Sequence, residues 1–158
     1  MKRLSKIALF CLLVVGVPSS AFSQASSKTP KNLFLDPQTS LVQNRYYKQV
    51  SLPLDSETLI EKVKIKFLIE SMRLSPFTFI RNGNAYTGER AAQHMLMKYG
   101  LAANRIQTAR NFINYLASSS SETGKPYLVK FPDGKMYPTR DLLYNELERL
   151  ERSLEING

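Results

Sequence analysis

The sequence predicts an α+β domain, about four helices packed on a small antiparallel sheet and preceded by a signal peptide and a polar leader. Three observations carry this reading. Apolar residues recur at helical spacing behind capping residues in several segments. Two turn signals, Asn82-Gly83 and Pro132-Asp133-Gly134, border short β-type runs. The resulting order, α-β-α-α-β-β-α, mixes the two element types without an internal repeat.

The chain opens with Lys2, Arg3 and Lys6, followed by an unbroken apolar run from Ile7 to Val17 and then Pro18-Ser19-Ser20. That is the charged, apolar and small-residue order of a secretory signal. A membrane-spanning helix needs roughly 18 or more apolar residues, and this run is shorter. Ala21-Phe22-Ser23 is the preferred cleavage tripeptide, so the expected location is periplasmic or secreted. Cys11, the single cysteine, is preceded by Phe10 and followed by further apolar residues, which excludes lipid attachment there. Cleavage leaves a chain that cannot form a disulfide and must rely on its core. Residues 1–23 carry three bases and no acid, so cleavage lowers the formal net charge from +9 to about +6.

Residues 24–54 are polar and contain Pro30, Pro37 and Pro53; they read as a flexible leader, partly ordered near Tyr46, Tyr47 and Val50. A single globular domain is expected from 55 to 158. Asp55 or Ser56 can cap a first helix whose Leu59, Ile60, Val63 and Phe67 share a face. Val63, Ile65, Phe67 and Ile69 also alternate as a strand does, but length and capping favour the helix, and Pro76 stops it. Phe77–Arg81 reads as a strand. Thr87 can cap a second helix from Glu89 to Tyr99, with Gly100 in the C-cap position. Asn104 begins a third helix reaching about Ala117. Tyr127–Phe131 and Lys135–Tyr137 form a hairpin. Thr139 can cap a last helix with Leu143, Leu147, Leu150 and Leu154 in one stripe, which could also serve a dimer.

The chemistry inventory is mostly exclusion. One histidine and no cysteine after cleavage leave too few ligands for a zinc site, and no cofactor is expected. HExxH, GxSxG, calcium-loop and dinucleotide patterns are absent. Gly124-Lys125 lacks the upstream glycine of a phosphate loop and is followed by Pro126. Ser121 and Lys125 are one residue too far apart for an SxxK pair. Export and the lack of a basic run disfavour nucleic acid.

Four features stay as candidates. His94 and Lys98, four apart, neighbour each other beside the stripe Ala91, Ala92, Met95, Leu96 and Tyr99. A cation there favours neutral imidazole, suiting a proton acceptor or an anion grip; the plainer reading is a boundary histidine beside a snorkelling lysine. Arg105 is expected on the apolar face of the third helix with Phe112 and Leu116, either paired with a carboxylate or reaching an anion. The turn around Asn82 can present Arg81 and Tyr86, or be turn chemistry alone. Ser118–Ser121 is a fraying helix end, or a source of hydroxyls for an anion.

Phe79-Ile80-Arg81-Asn82-Gly83, Tyr86, Ala91-Ala92, His94, Lys98, Asn104-Arg105-Ile106 and Thr123-Gly124-Lys125-Pro126-Tyr127 together resemble the YfeK-like family of small exported bacterial proteins, a domain of unknown function. The resemblance runs from about Leu59 to Leu150. It implies a Gram-negative periplasm and brings no activity, cofactor or catalytic residue. The leader before Asp55 departs from it.

These observations favour a non-enzymatic module that binds an envelope protein or an anionic ligand. The alternative is a small periplasmic hydrolase or transferase with His94 as general base and Arg81 or Arg105 holding the substrate. A third reading, association with anionic membrane or wall through Lys62, Lys64 and Lys66, is weakened because those lysines do not share one helical face.

Overall fold

A computed structural model describes residues 28–37, 41–52 and 56–157. The signal segment, with Cys11, and Asp55 lie outside the described residues. After a 3-10 turn at Leu41–Gln43, the elements are α1 (Tyr47–Val50), α2 (Glu57–Leu74), β1 (Thr78–Arg81), β2 (Asn84–Tyr86), α3 (Gly88–Ala102), α4 (Ala109–Asn111) running into a π turn (Phe112–Leu116), β3 (Leu128–Lys130), β4 (Met136–Pro138) and α5 (Thr139–Asn157). The architecture is α+β. The sheet order is β2-β1-β3-β4, antiparallel throughout.

Ser56 caps α2, its hydroxyl accepting from Leu59 N. Val63, Ile65, Phe67 and Ile69 are all buried, so their alternation reflects a helix covered on several sides rather than a strand. Leu59, placed on the apolar face by sequence, is exposed. Two polar residues, Glu70 and Ser71, are buried on α2 and both are satisfied. Glu70 accepts from Arg45 Nε at 2.9 Å and from Arg73 Nη2 at 2.7 Å, while Ser71 Oγ accepts from Asn44 Nδ2 at 3.2 Å.

Asn82 and Gly83 both have positive φ, 52° and 85°, the two-residue turn that matches the twist of a hairpin. The chain therefore returns as β2, a strand the sequence reading did not assign because Asn84-Ala85-Tyr86 is too short to show alternation. Thr87 caps α3, accepting from Arg90 N. Gly100 does not end that helix. It stays helical, and the end comes after Ala102, whose carbonyl accepts from Arg105 N at 2.8 Å and Ile106 N at 3.2 Å. The third helix likewise starts at Ala109, not Asn104. Thr108 caps it, and Ala109 N donates to Glu61 Oε2 at 2.7 Å.

Within the stretch 24–54, read as a flexible leader partly ordered near Tyr46, Tyr47 and Val50, the described residues 28–37 are packed against α5. Leu35 is fully buried, and its neighbours are clasped to α5. Thr29 Oγ1 donates to Asp141 (2.8 Å), and Asn145 Nδ2 donates to the carbonyls of Pro30 (3.0 Å) and Leu33 (2.7 Å). Asp36 N donates to Glu146 Oε1 (3.2 Å), and the Arg149 guanidinium lies 4.6 Å from the Phe34 ring centre. Burial pushes the Glu146 carboxyl up to about 7, against the pull of Arg149, whose Nη2 stands 2.8 Å away. Sequence could not show this clasp, because its partners lie more than a hundred residues apart.

The inner face of the sheet carries Phe79, Val129 and Tyr137, and the core lies between it and α2, α3 and α5. One close approach sets the spacing. A Cβ at Gly88, the first residue of α3, would stand 2.8 Å from Ser75 O and closer still to Met72 O. Gly88→Ala must push α3 off the C-terminal end of α2. The expected loss is about 1–3 kcal/mol, the usual range for overpacking a tight contact. A thermal or urea melt reads it directly, and an unchanged midpoint contradicts the close approach.

Candidate functional site

Between α3 and the β1–β2 hairpin lies a cavity of about 430 Å³. Three of the residues singled out from sequence, Arg81, Tyr86 and His94, line it. The same lining includes the exposed Arg90, Gln93 and Met97, where the cavity meets solvent, and the buried Met72, Phe79 and Met95, which form its apolar wall.

The sheet register explains the polar side. Ile80 pairs with Leu128 and Leu128 with Pro138. One residue further along each strand, Arg81 stands beside Tyr127 and Tyr127 beside Thr139, whose N–H donates to Tyr127 O at 2.9 Å. Arg81, Tyr127 and Thr139 thus form a cross-strand row on the face that carries Phe79. The Tyr127 hydroxyl is hydrogen-bonded with Arg81 and Ser120, and burial pushes its pKa up against the pull of Arg81.

Three polar atoms at this cavity are shielded from solvent and have no hydrogen-bond partner: Arg81 Nε, His94 Nε2 and Thr139 Oγ1. Thr139 is only 1 % exposed. Each such orphan costs about 1–3 kcal/mol relative to a satisfied group. In a cavity that meets solvent, water or a bound ligand satisfies such groups. No Asp or Glu lines the cavity. The carboxylate nearest the row is Glu122, 74 % exposed and 3.7 Å from Arg81 Nη2, a pair of little strength.

His94 is held below its ordinary pKa, first by burial and then by the positive charges of Arg81 and Lys98. Its imidazole is therefore neutral at neutral pH, as the i,i+4 pairing with Lys98 suggested. Lys98 itself does not line the cavity. Its Nζ donates to Leu116 O at 2.7 Å and to the Tyr127 hydroxyl at 3.4 Å, and it stands 5.3 Å from the Tyr127 ring centre. That carbonyl is free because the π turn ends at Leu116, where Ala117 N reaches back to Phe112 O, one residue beyond the α-helical partner. Lys98 is thus a positioning charge, its own pKa lowered by burial and by Arg81.

The other candidates fall elsewhere. Asn82 Nδ2 donates to Ser120 Oγ (3.4 Å) and its Oδ1 accepts from Thr123 Oγ1 (2.6 Å), so it fastens the hairpin turn to the 118–126 loop and does not face the cavity. Ser118 and Ser120 are used in that loop and in the π turn. Arg105 is exposed in the connection before α4, because the third helix starts five residues later than expected. Leu96, assigned to the apolar stripe, is 55 % exposed. Lys64 is bound to Glu61 (3.1 Å) and Glu151 (3.0 Å), which removes it from a free basic patch. Sequence missed Tyr127 and Thr139 as site residues. The alternation Tyr127, Val129, Phe131 gave the face of Tyr127, but Thr139 read only as a helix cap.

The family of unknown function DUF5329 matches residues 60–151. The uncharacterized protein YfeK of Salmonella typhimurium is 44 % identical over 68 residues, a match covering 42 % of this chain and 57 % of that protein. No solved structure matches. Among the described residues, no helix is long and apolar enough to cross a membrane. The chain belongs to the DUF5329 family, whose matched segment holds α2 through most of α5 and therefore the whole cavity.

His94 is the single histidine, so its imidazole gives one isolated NMR titration. Its midpoint is expected below 6.5 in the folded protein. A base whose folded pKa is depressed binds fewer protons folded than unfolded, so this group's stabilising contribution is present above pH 6.5 and is lost as pH falls toward the folded midpoint. A midpoint at or above 6.5 contradicts the cationic, buried setting.

Proposed function

We propose that this DUF5329 member is a non-enzymatic binding module that takes a small anionic ligand in the cavity between α3 and the β1–β2 hairpin, in the periplasm. The observation that carries the reading is the set of unpartnered atoms on Arg81, His94 and Thr139 at one cavity with no acidic lining. A bound anion accepts from the half-buried Arg81 guanidinium, reaches the Thr139 hydroxyl as that shielded side chain turns toward the cavity, and gains from the charges of Arg81 and, more remotely, Lys98. The first residue of α5 is Thr139, so the positive end of a 19-residue helix adds to the field. A half-open cavity of about 430 Å³ suits a small molecule better than a protein surface. The periplasmic setting rests on the signal pattern of Lys2 to Ser23, and a ligand of the cell envelope follows from it.

Catalysis is the second reading, favoured by a neutral His94 on the cavity wall. It needs a hydrolase or transferase chemistry in which His94 accepts a proton. Binding is preferred because no carboxylate lines the cavity to orient the imidazole and no activated nucleophile stands beside it.

A melting-shift screen of the purified protein with small organic anions tests the reading. A ligand raises the melting temperature, and Arg81→Ala weakens its binding about 10–100-fold, from the roughly 1.5–3 kcal/mol of a charge-assisted hydrogen bond. A ligand whose binding survives Arg81→Ala unchanged contradicts the site, as does a panel without any shift.

A further inference from the structure

The cavity is two-sided, and its two sides ask for different chemistry. On one side stand the Arg81–Tyr127–Thr139 row and His94, with three polar atoms lacking partners. On the other stand Met72, Phe79, Ala91 and Met95, drawn from α2, β1 and α3. A compact hydrophilic anion satisfies the row and leaves water against the methionines and Phe79. A neutral apolar molecule covers that wall and strands a guanidinium N–H away from solvent, which is the more costly fault.

The charge count narrows the head group. Among the described residues, Arg81 is the half-buried cation of this lining. Lys98 is turned to Leu116 O and Tyr127, Arg90 is exposed at the rim, and Glu122 stands outside on the Arg81 guanidinium. One half-buried guanidinium, only loosely paired with the exposed Glu122, suits one negative charge. Volume narrows the body. At about 30 Å³ for each water-sized group, 430 Å³ holds roughly fourteen non-hydrogen atoms, enough for decanoate or dodecanoate. A two-chain lipid is far larger.

Building on the anionic-ligand reading, we infer that the cavity binds a single-chain, singly charged amphiphile of about the size of decanoate, its head group on Arg81 and Thr139 and its apolar body against Met72, Phe79 and Met95. His94 closes the polar side as a neutral hydrogen-bonding group. Methionine suits this wall, since its unbranched side chain re-packs around ligands of differing shape.

Calorimetric titration tests the inference with hexanoate, octanoate, decanoate and dodecanoate below micelle-forming concentrations, with decanol, and with acetate and inorganic phosphate, on the purified protein and on Arg81→Gln. The expected result is a gain of up to about fourfold per added methylene, levelling off near decanoate, with a negative heat-capacity change. Decanol then binds at least about tenfold more weakly than decanoate, and Arg81→Gln removes that difference. If Arg81→Gln does not fold, the decanoate–decanol comparison on the unaltered protein decides the role of the head group. Acetate or phosphate binding as tightly as decanoate overturns the amphiphile and leaves anion binding standing. Decanol equal to decanoate overturns both readings, and so does an absence of binding by every probe.

Discussion

The contact between the start of α3 and the end of α2 governs the rest of the molecule. Gly88 sits where backbone meets backbone: the carbonyls of Met72 and Ser75 occupy the space a side chain would need. Thr87 caps α3 immediately before it, so the direction and the height of the helix are fixed at one place. From that anchor α3 lays Ala92, Met95 and Tyr99 into the core and holds His94 over the polar row of the sheet. The hairpin turn before it, Asn82-Gly83, is fastened in its turn to the 118–126 loop through Asn82. The cavity is what remains between two rigidly placed walls, not a gap left by poor packing.

Elsewhere among the described residues most buried polar groups are satisfied, Glu146 Oε2 and Arg149 Nε being the exceptions. Glu70 takes two arginines, Asn44 and Ser71 bond each other and a helix carbonyl, and Asn145 ties the 28–37 segment to α5. Glu146, the most deeply buried carboxyl, accepts from Asp36 N and lies against Arg149. Arg81, His94 and Thr139 stand apart from this pattern in converging on one cavity with no acid on its walls. Buried polar networks in proteins are normally complete or functional. The unpartnered Glu146 Oε2 and Arg149 Nε of the α5 clasp belong to residues that lie in one ion pair, whereas Arg81 Nε, His94 Nε2 and Thr139 Oγ1 find no hydrogen-bond partner in the chain.

Much of the fold was legible in local chemistry. Ser56, Thr87 and the two glycine turns act within a few residues, so their signals survive without tertiary information. β2 and the late start of α4 were not legible, since a three-residue strand has no period and Thr108 competes with Asn104 as an equally good cap. Gly100 misled for a related reason: glycine ends a helix only when it takes positive φ, and here Ile106 pins the chain one turn later. For the site, Arg81, Tyr86 and His94 were found, because a turn and an i,i+4 pair are local. Arg105 was lost with the helix that was meant to carry it. Tyr127 and Thr139 could be joined to Arg81 only through strand register, which pairs residues more than forty positions apart.

If an anionic head group completes the polar side of the cavity, it lies next to His94. A carboxylate bound there favours the charged imidazole, so it must raise the His94 midpoint as it binds. The most direct measurement is the NMR titration of His94 in the free protein and in the presence of saturating decanoate, with decanol as the neutral control. The account predicts an upward shift of the midpoint with decanoate and none with decanol. A His94 midpoint that stays in place while decanoate binds would put the head group elsewhere and contradict the account.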